Sequence, residues 1–243
     1  MSRFTVFKMK ALRTLPNFIK RGAESATKAA RLSRSSQISS NKIEKIKKSL
    51  VSIGSLLKDI GFVKASGVIF KEDKRNYYIL TAAHVVEKSK LIFVKVGRDY
   101  LEAEVINYGP KQDRDIGLIK ISKQGIDPHD INIISLAESD VYELDPHFPV
   151  IMFGYDFPNE TEDYEKLFRQ AEIKTIRGEA WFETDGVLVV NKKVKGGFSG
   201  GPVIDIKGRL VGIVHGDLLH FVAYAVPINI IKKFIEESLS FKK

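Results

Sequence analysis

The sequence predicts an all-β body closed by a C-terminal helix, and three observations carry that prediction. From about Leu50 onward, short β-branched and aromatic runs follow one another, bounded by Gly, Asp, Asn and Lys: "SGVIF", "NYYIL", "LIFVKVG", "LEAEVINYG", "DIGLIKI", "FPVIMFGY", "VLVVN" and "FVAYAVP". Many short strands at close spacing indicate a β-barrel or sandwich rather than alternating βαβ units. The segment "VIDIKGRLVGIV" reads as a hairpin with Lys207-Gly208 in its turn. Finally, "PINIIKKFIEESL" sets Ile230, Ile231, Phe234, Ile235 and Leu239 on one helical stripe behind a first-turn Pro227.

Ahead of the strands, "NKIEKIKKSL" reads as a short helix capped by Ser40 or Asn41. Residues 1–48 form a basic extension with 13 Lys/Arg against 2 acids, whereas the other 195 residues carry 26 basic and 28 acidic side chains. The net charge of +9 therefore belongs to the extension, and the near-neutral body argues against a broad phosphate-binding face. Within the extension Leu12, Leu15, Phe18 and Ile19 recur at helical spacing, interrupted by Pro16. Its composition fits a solvated tail, an organelle transit segment or a basic helix on an anionic surface. No cysteine is present, which excludes disulfides, thiolate metal sites and a cysteine nucleophile. No apolar run reaches the ~20 residues that cross a bilayer. The expectation is a soluble chain with the cytoplasm favoured, an organelle as the alternative, and no cofactor or metal.

The stretch "VKGGFSGGPV" places four glycines around Ser199. A tight turn needs one or two glycines and no particular central residue. A G-x-S-G-G nucleophile loop needs them so that the amides of Gly197 and Ser199 can point into one cavity. A serine hydroxyl is a poor nucleophile without a base, which requires a histidine and a carboxylate to orient it. His84 ends "YYILTAAHVV", where a strand runs out into small residues. Asp115 in "DRDIGLIKI" directly precedes an apolar strand; Asp113 is a rival, but only Asp115 abuts Ile116.

"TAAHVV", "DIGLIKI" and "GGFSGGPV" resemble, in that order, the three signature segments of chymotrypsin-like serine proteases. The resemblance is strongest to the cysteine-free HtrA-type protease domain and covers about residues 50–240. It implies two six-stranded antiparallel β-barrels with the site in the cleft between them and the last helix packed behind. The implied organisation is an extension over 1–48 and a protease domain over 49–243. Within that domain the first barrel spans about 49–125, the second about 140–228, and the helix about 227–240. It also implies Ser199 as nucleophile, His84 as general base and acid, Asp115 as its carboxylate, and the Gly197 and Ser199 amides as oxyanion hole.

Two positions depart from trypsin-type relatives. Phe198 stands where they carry the acid that binds a newly cleaved N-terminus, so that activation switch is not expected. Lys193 stands where an acid selects basic side chains, so cleavage after Lys or Arg is not expected. Lys193 and Lys195 would attract an acidic residue, and His215 in "GIVHG" stands about one residue out of register with the substrate-reading histidine of glutamyl-specific relatives. The HtrA-like resemblance instead implies a small aliphatic preference, and two solvated lysines with a wall histidine is the bland reading. HtrA proteins usually continue into a peptide-binding PDZ domain; no such segment follows the last helix here, so regulation is expected to use the protease domain, the tail or another subunit. The expected partner is a polypeptide substrate and not nucleic acid, with membrane contact through the tail and homo-oligomerisation left open. The rival to an active endopeptidase is a catalytically silent binding protein on the same scaffold.

Overall fold

The computed structural model describes residues 38–58, 61–109, 115–138, 147–157, 168–183, 187–218 and 222–240. The Leu12–Ile19 stretch and Asp113 lie outside the described residues. Helix α1 (Ser40–Lys47) begins one residue earlier than the sequence suggests, because the Ser39 hydroxyl accepts the Lys42 amide at 3.4 Å. Ile46 is its buried contact.

The first half contains β1 (Leu50–Leu57), β2 (Gly61–Glu72), β3 (Asn76–Thr81), the one-turn helix α2 (Ala83–Val86), β4 (Ser89–Val96), β5 (Asp99–Glu102), β6 (Glu104–Tyr108) and β7 (Gly117–Ser122). They form one antiparallel sheet in the order β5-β4-β1-β2-β3-β7-β6. Only Ala103 separates β5 from β6, and its amide still bonds to Ile92 at 2.9 Å. One bent strand thus pairs with β4 at its start and with β7 at its end. The first half is therefore an open seven-stranded half-barrel with β5 and β6 at its two ends, not the closed six-stranded barrel expected from the resemblance, because the chain bends at Ala103.

A 3₁₀ turn (Pro128–Asp130) leads toward the second half: β8 (His147–Asp156), β9 (Glu172–Glu183), β10 (Val187–Val190), β11 (Pro202–Asp205), β12 (Leu210–Leu218) and β13 (Val222–Pro227). These strands form a closed barrel in the order β10-β13-β12-β11-β8-β9. The β11–β12 turn holds Gly208 at φ +81°, and Asp205 accepts the backbone amide and the guanidinium of Arg209, each at 2.9 Å.

Successive strand residues face opposite sides, and in β2 both sides are buried. Ile69 belongs to the core of the first half with Ile53, Ile79 and Ile119. Its neighbours Val68 and Phe70 pack into the larger core built on Phe153, Phe198 and Ile213. The same split holds for Ile79 and Leu80 in β3 and for Ile119 and Leu118 in β7. Unbroken apolar runs in these strands are therefore the signature of a sheet caught between two cores.

Helix α3 (Ile228–Ser240) starts after Pro227, which ends β13. Its buried row is Ile228, Ile231, Phe234 and Ser238, with Ile230, Ile235 and Leu239 at the margin of the stripe. Ser238 accepts the Asn107 amide at 2.9 Å, which ties the helix to β6 of the first half. Among the described residues, no helix is long and apolar enough to cross a membrane.

Candidate active site

Strand pairing brings the first two site residues together. In the β3–β7 register Thr81 faces Gly117. His84 lies three residues beyond Thr81 on α2, and Asp115 lies two residues before Gly117. Asp115 is 4% exposed and grips His84 twice: its Oδ1 accepts the His84 backbone amide at 2.9 Å, and its Oδ2 meets the imidazole Nδ1 at 2.7 Å. A carboxylate oxygen can only accept, so this contact fixes the Nδ1–H tautomer of neutral His84 and leaves Nε2 as its basic nitrogen.

A second imidazole reaches the same carboxylate. His215 falls at a bulge in the β12–β13 ladder, between the Val214–Ala225 and Gly216–Tyr224 pairs, and the bulge re-aims its side chain. Its Nδ1 contacts Asp115 Oδ2, and its ring stacks on Tyr224 with centroids 4.5 Å apart. Burial pushes the Asp115 carboxyl up, but the hydrogen bonds from His215 and His84 outweigh it and hold the group well below the usual carboxylate range. A depressed carboxylate stabilises the fold fully above its unfolded value, and that contribution disappears as pH falls through the folded value. The stability gap between the native chain and Asp115→Asn, measured by urea unfolding, is expected to hold steady above about pH 5 and to shrink progressively as pH falls from about 5 toward about 2. A gap independent of pH would contradict this assignment.

The donor atoms of His84, Asp115 and His215 lie within 4.8 Å of one another, a set chemically suited to a divalent metal. The Nδ1 atoms of both rings already contact one carboxylate oxygen, Asp115 Oδ2.

Ser199 lies in the turn before β11. Gly197 has φ +97°, and a Cβ there would sit 2.4 Å from the Tyr155 carbonyl oxygen. Gly200 has φ +81°, and a Cβ would sit 2.2 Å from both the Ser66 carbonyl and the Thr81 hydroxyl. These two glycines let the turn press against β2, β3 and β8. The amides of Phe198, Gly200 and Gly201 donate to the carbonyls of Lys195, Val214 and Phe198, at 3.3, 2.7 and 2.8 Å. Those of Gly197 and Ser199 donate to no backbone carbonyl among the described residues. The Ser199 hydroxyl donates to the His215 carbonyl at 3.1 Å. Phe198 is 1% exposed and packs its ring on Gly154 of β8. The position where trypsin-type relatives carry an acid is thus filled by core.

Ser66 is the site residue that sequence reasoning missed. Its amide donates to the Ser199 carbonyl at 2.9 Å and its hydroxyl to the Gly197 carbonyl at 2.7 Å. The same hydroxyl accepts the Tyr155 amide at 2.8 Å, and the Ser66 carbonyl accepts the Thr81 hydroxyl at 2.8 Å. One fully buried side chain from the first half therefore pins the serine turn of the second. The only trace in the sequence is a serine at the head of "SGVIF".

A cavity of about 850 Å³ opens beside Ser199, Gly197 and Gly216. Lys193 and Lys195 line it; His215 does not and sits behind, against Asp115.

The trypsin-like peptidase domain family matches residues 65–213. The "Serine protease HtrA-like" of Staphylococcus epidermidis is 30% identical over 182 residues, covering 71% of this chain and 30% of that protein. The "Serine protease Do-like HtrA" of Bacillus subtilis is 27% identical over 185 residues, covering 72% of this chain and 39% of that protein. The chain thus spans about a third of the length of these curated relatives. The Rv3671c protease of M. tuberculosis H37Rv, a serine-to-alanine variant in its inactive form, superposes with a TM-score of 0.62 at 17% identity, over 85% of this chain and 94% of that one. A second Rv3671c structure, also in the inactive form, gives 0.60 at 19% identity, over 83% of this chain and 94% of that one. At that identity the likeness establishes the fold, a half-barrel and a closed β-barrel with a terminal helix. The family segment begins just before Ser66, takes in His84 and Asp115, and ends past Ser199, and its span of more than half the chain makes this protein a member of the trypsin-like peptidase family.

Proposed function

We propose that the chain is a serine endopeptidase that cleaves peptide bonds through Ser199, His84 and Asp115. The carrying observation is the double grip of Asp115 on His84, which fixes the tautomer a general base needs. In this reading the Ser199 hydroxyl turns from the His215 carbonyl to His84 Nε2 and attacks the scissile carbonyl as His84 takes its proton. The tetrahedral oxyanion is held by the amides of Gly197 and Ser199, each such donor contributing about 3–4 kcal/mol in comparable sites. His84 then passes its proton to the leaving amine as the C–N bond breaks, leaving an acyl-enzyme. Water, deprotonated by His84, cleaves that ester and restores Ser199. Asp115 stays ionised throughout and stabilises the imidazolium.

The paired His84 and Asp115, with the Gly197 and Ser199 amides donating to no backbone carbonyl among the described residues, support chemistry over a silent binding role. A fluorophosphonate probe is expected to label the native chain at Ser199 and to leave Ser199→Ala unlabelled, read by mass spectrometry of the modified peptide. A folded native chain that takes no label would overturn the proposal.

A further inference from the structure

The cavity beside Ser199 carries more positive than negative charge. Lys64, Lys174, Lys193 and Lys195 line it with two acids, Asp156 and Glu172. Lys195 meets Asp156 at 3.3 Å and Lys174 meets Glu172 at 2.5 Å, so both acids are taken. Lys193 and Lys64 have no carboxylate partner among the described residues. Lys64 extends over the ring of Phe157, its ammonium 5.9 Å from the centroid, and Phe157 and Val194 are buried parts of the wall. The cavity thus offers an apolar wall and two ammonium groups without a carboxylate partner among the described residues. A cleft walled by low-dielectric groups focuses such a field on whatever enters it.

We infer that this cavity selects peptide substrates with an acidic side chain next to the scissile bond, and that Lys193 and Lys64 are the residues that read the carboxylate. The inference rests on the endopeptidase reading of Ser199 and adds its substrate class. A carboxylate entering the cavity is attracted by the ammonium groups of Lys193 and Lys64, whereas a substrate Lys or Arg is repelled by them. An uncharged side chain gains only the apolar wall. Discrimination therefore works in two directions, by attraction of acids and by repulsion of bases.

The test uses the full chain and internally quenched peptides that differ only in the residue flanking the cleaved bond: Glu, Gln, Leu or Lys. At low ionic strength kcat/KM is expected to be about tenfold higher for Glu than for Gln, with Lys the poorest of the four. The Glu/Gln ratio should fall toward one in 0.5 M salt, because exposed pairs are screened. It should also fall toward one in the double variant Lys64→Gln/Lys193→Gln. The ratio cancels any general loss of activity in that variant, and thermal unfolding checks that it folds. Equal cleavage of the Glu and Gln peptides by a native chain that fluorophosphonate labels would overturn the inference alone, as would a Glu preference that survives in the double variant. A native chain that neither cuts any peptide nor takes the label would overturn the endopeptidase reading and this inference together.

Discussion

Asp115→Asn is expected to lower kcat by about 10³–10⁴-fold while KM moves little, the size of effect this substitution has in a trypsin-type triad. The reason lies in donor chemistry rather than in shape. Asp115 Oδ2 accepts from His84 Nδ1 at 2.7 Å and is also in contact with His215 Nδ1. An amide of the same size presents an NH₂ group to one of these partners. If that group faces His84, Nδ1 must become the acceptor and Nε2 carries the proton, so the imidazole cannot take one from Ser199. If the amide oxygen faces the histidines instead, its NH₂ turns toward the His84 backbone amide, a donor against a donor, where Oδ1 now accepts at 2.9 Å. Neither orientation satisfies all three contacts. Steady-state kinetics check the first expectation, and the fluorophosphonate labelling rate should fall in parallel, since it depends on the same base. A loss of less than about tenfold in a folded variant would mean that Asp115 is not the orienting carboxylate.

The parts of this site that a reader of the sequence can find are those fixed by local chemistry. Ser199 is marked by glycines, Asp115 by the apolar run it precedes, and His84 by the small residues where β3 ends. Chain order then links the three before any contact is known. What the sequence hides depends on register between distant strands. Ser66 is one serine in an apolar strand, and only the crossing of the two halves, 131 residues apart along the chain, sets its hydroxyl against Gly197. His215 reads as a pocket residue by position, but a bulge of one residue in β12 turns it toward Asp115. The resemblance implies six strands per barrel; in the first half the break at Ala103 gives seven, with β5 on β4 and β6 on β7 at the two ends of an open sheet. Phe198 shows the limit from the other side. Its departure from the trypsin pattern is visible in the sequence, while its role as a core ring on Gly154 is not.

Ser66→Ala tests the feature that was hardest to read, and its expected result is a fall of about 10²-fold in kcat, the lower end of what removing one oxyanion donor does. The substitution removes one oxygen and strands two partners, the Gly197 carbonyl and the Tyr155 amide. Leaving buried polar groups unsatisfied costs about 1–3 kcal/mol, so a lower urea midpoint is expected as well. Stability alone does not establish a role in positioning, since any buried serine could show it. The discriminating measurement is affinity for a peptidyl boronate, which forms a tetrahedral adduct with the nucleophile. If Ser66 holds the turn so that the Gly197 and Ser199 amides stay aimed at one point, boronate affinity falls in step with kcat/KM, while KM for the peptide stays near its native value. Ser66→Cys keeps a weak donor and acceptor of nearly the same size and should fall between Ser and Ala on both measures. No native thiol competes, because the chain has no cysteine. A Ser66→Ala chain that is less stable yet keeps kcat and boronate affinity within about twofold would reduce Ser66 to a structural tie, with the amides beside Ser199 held by Gly200 and the β12 ladder instead.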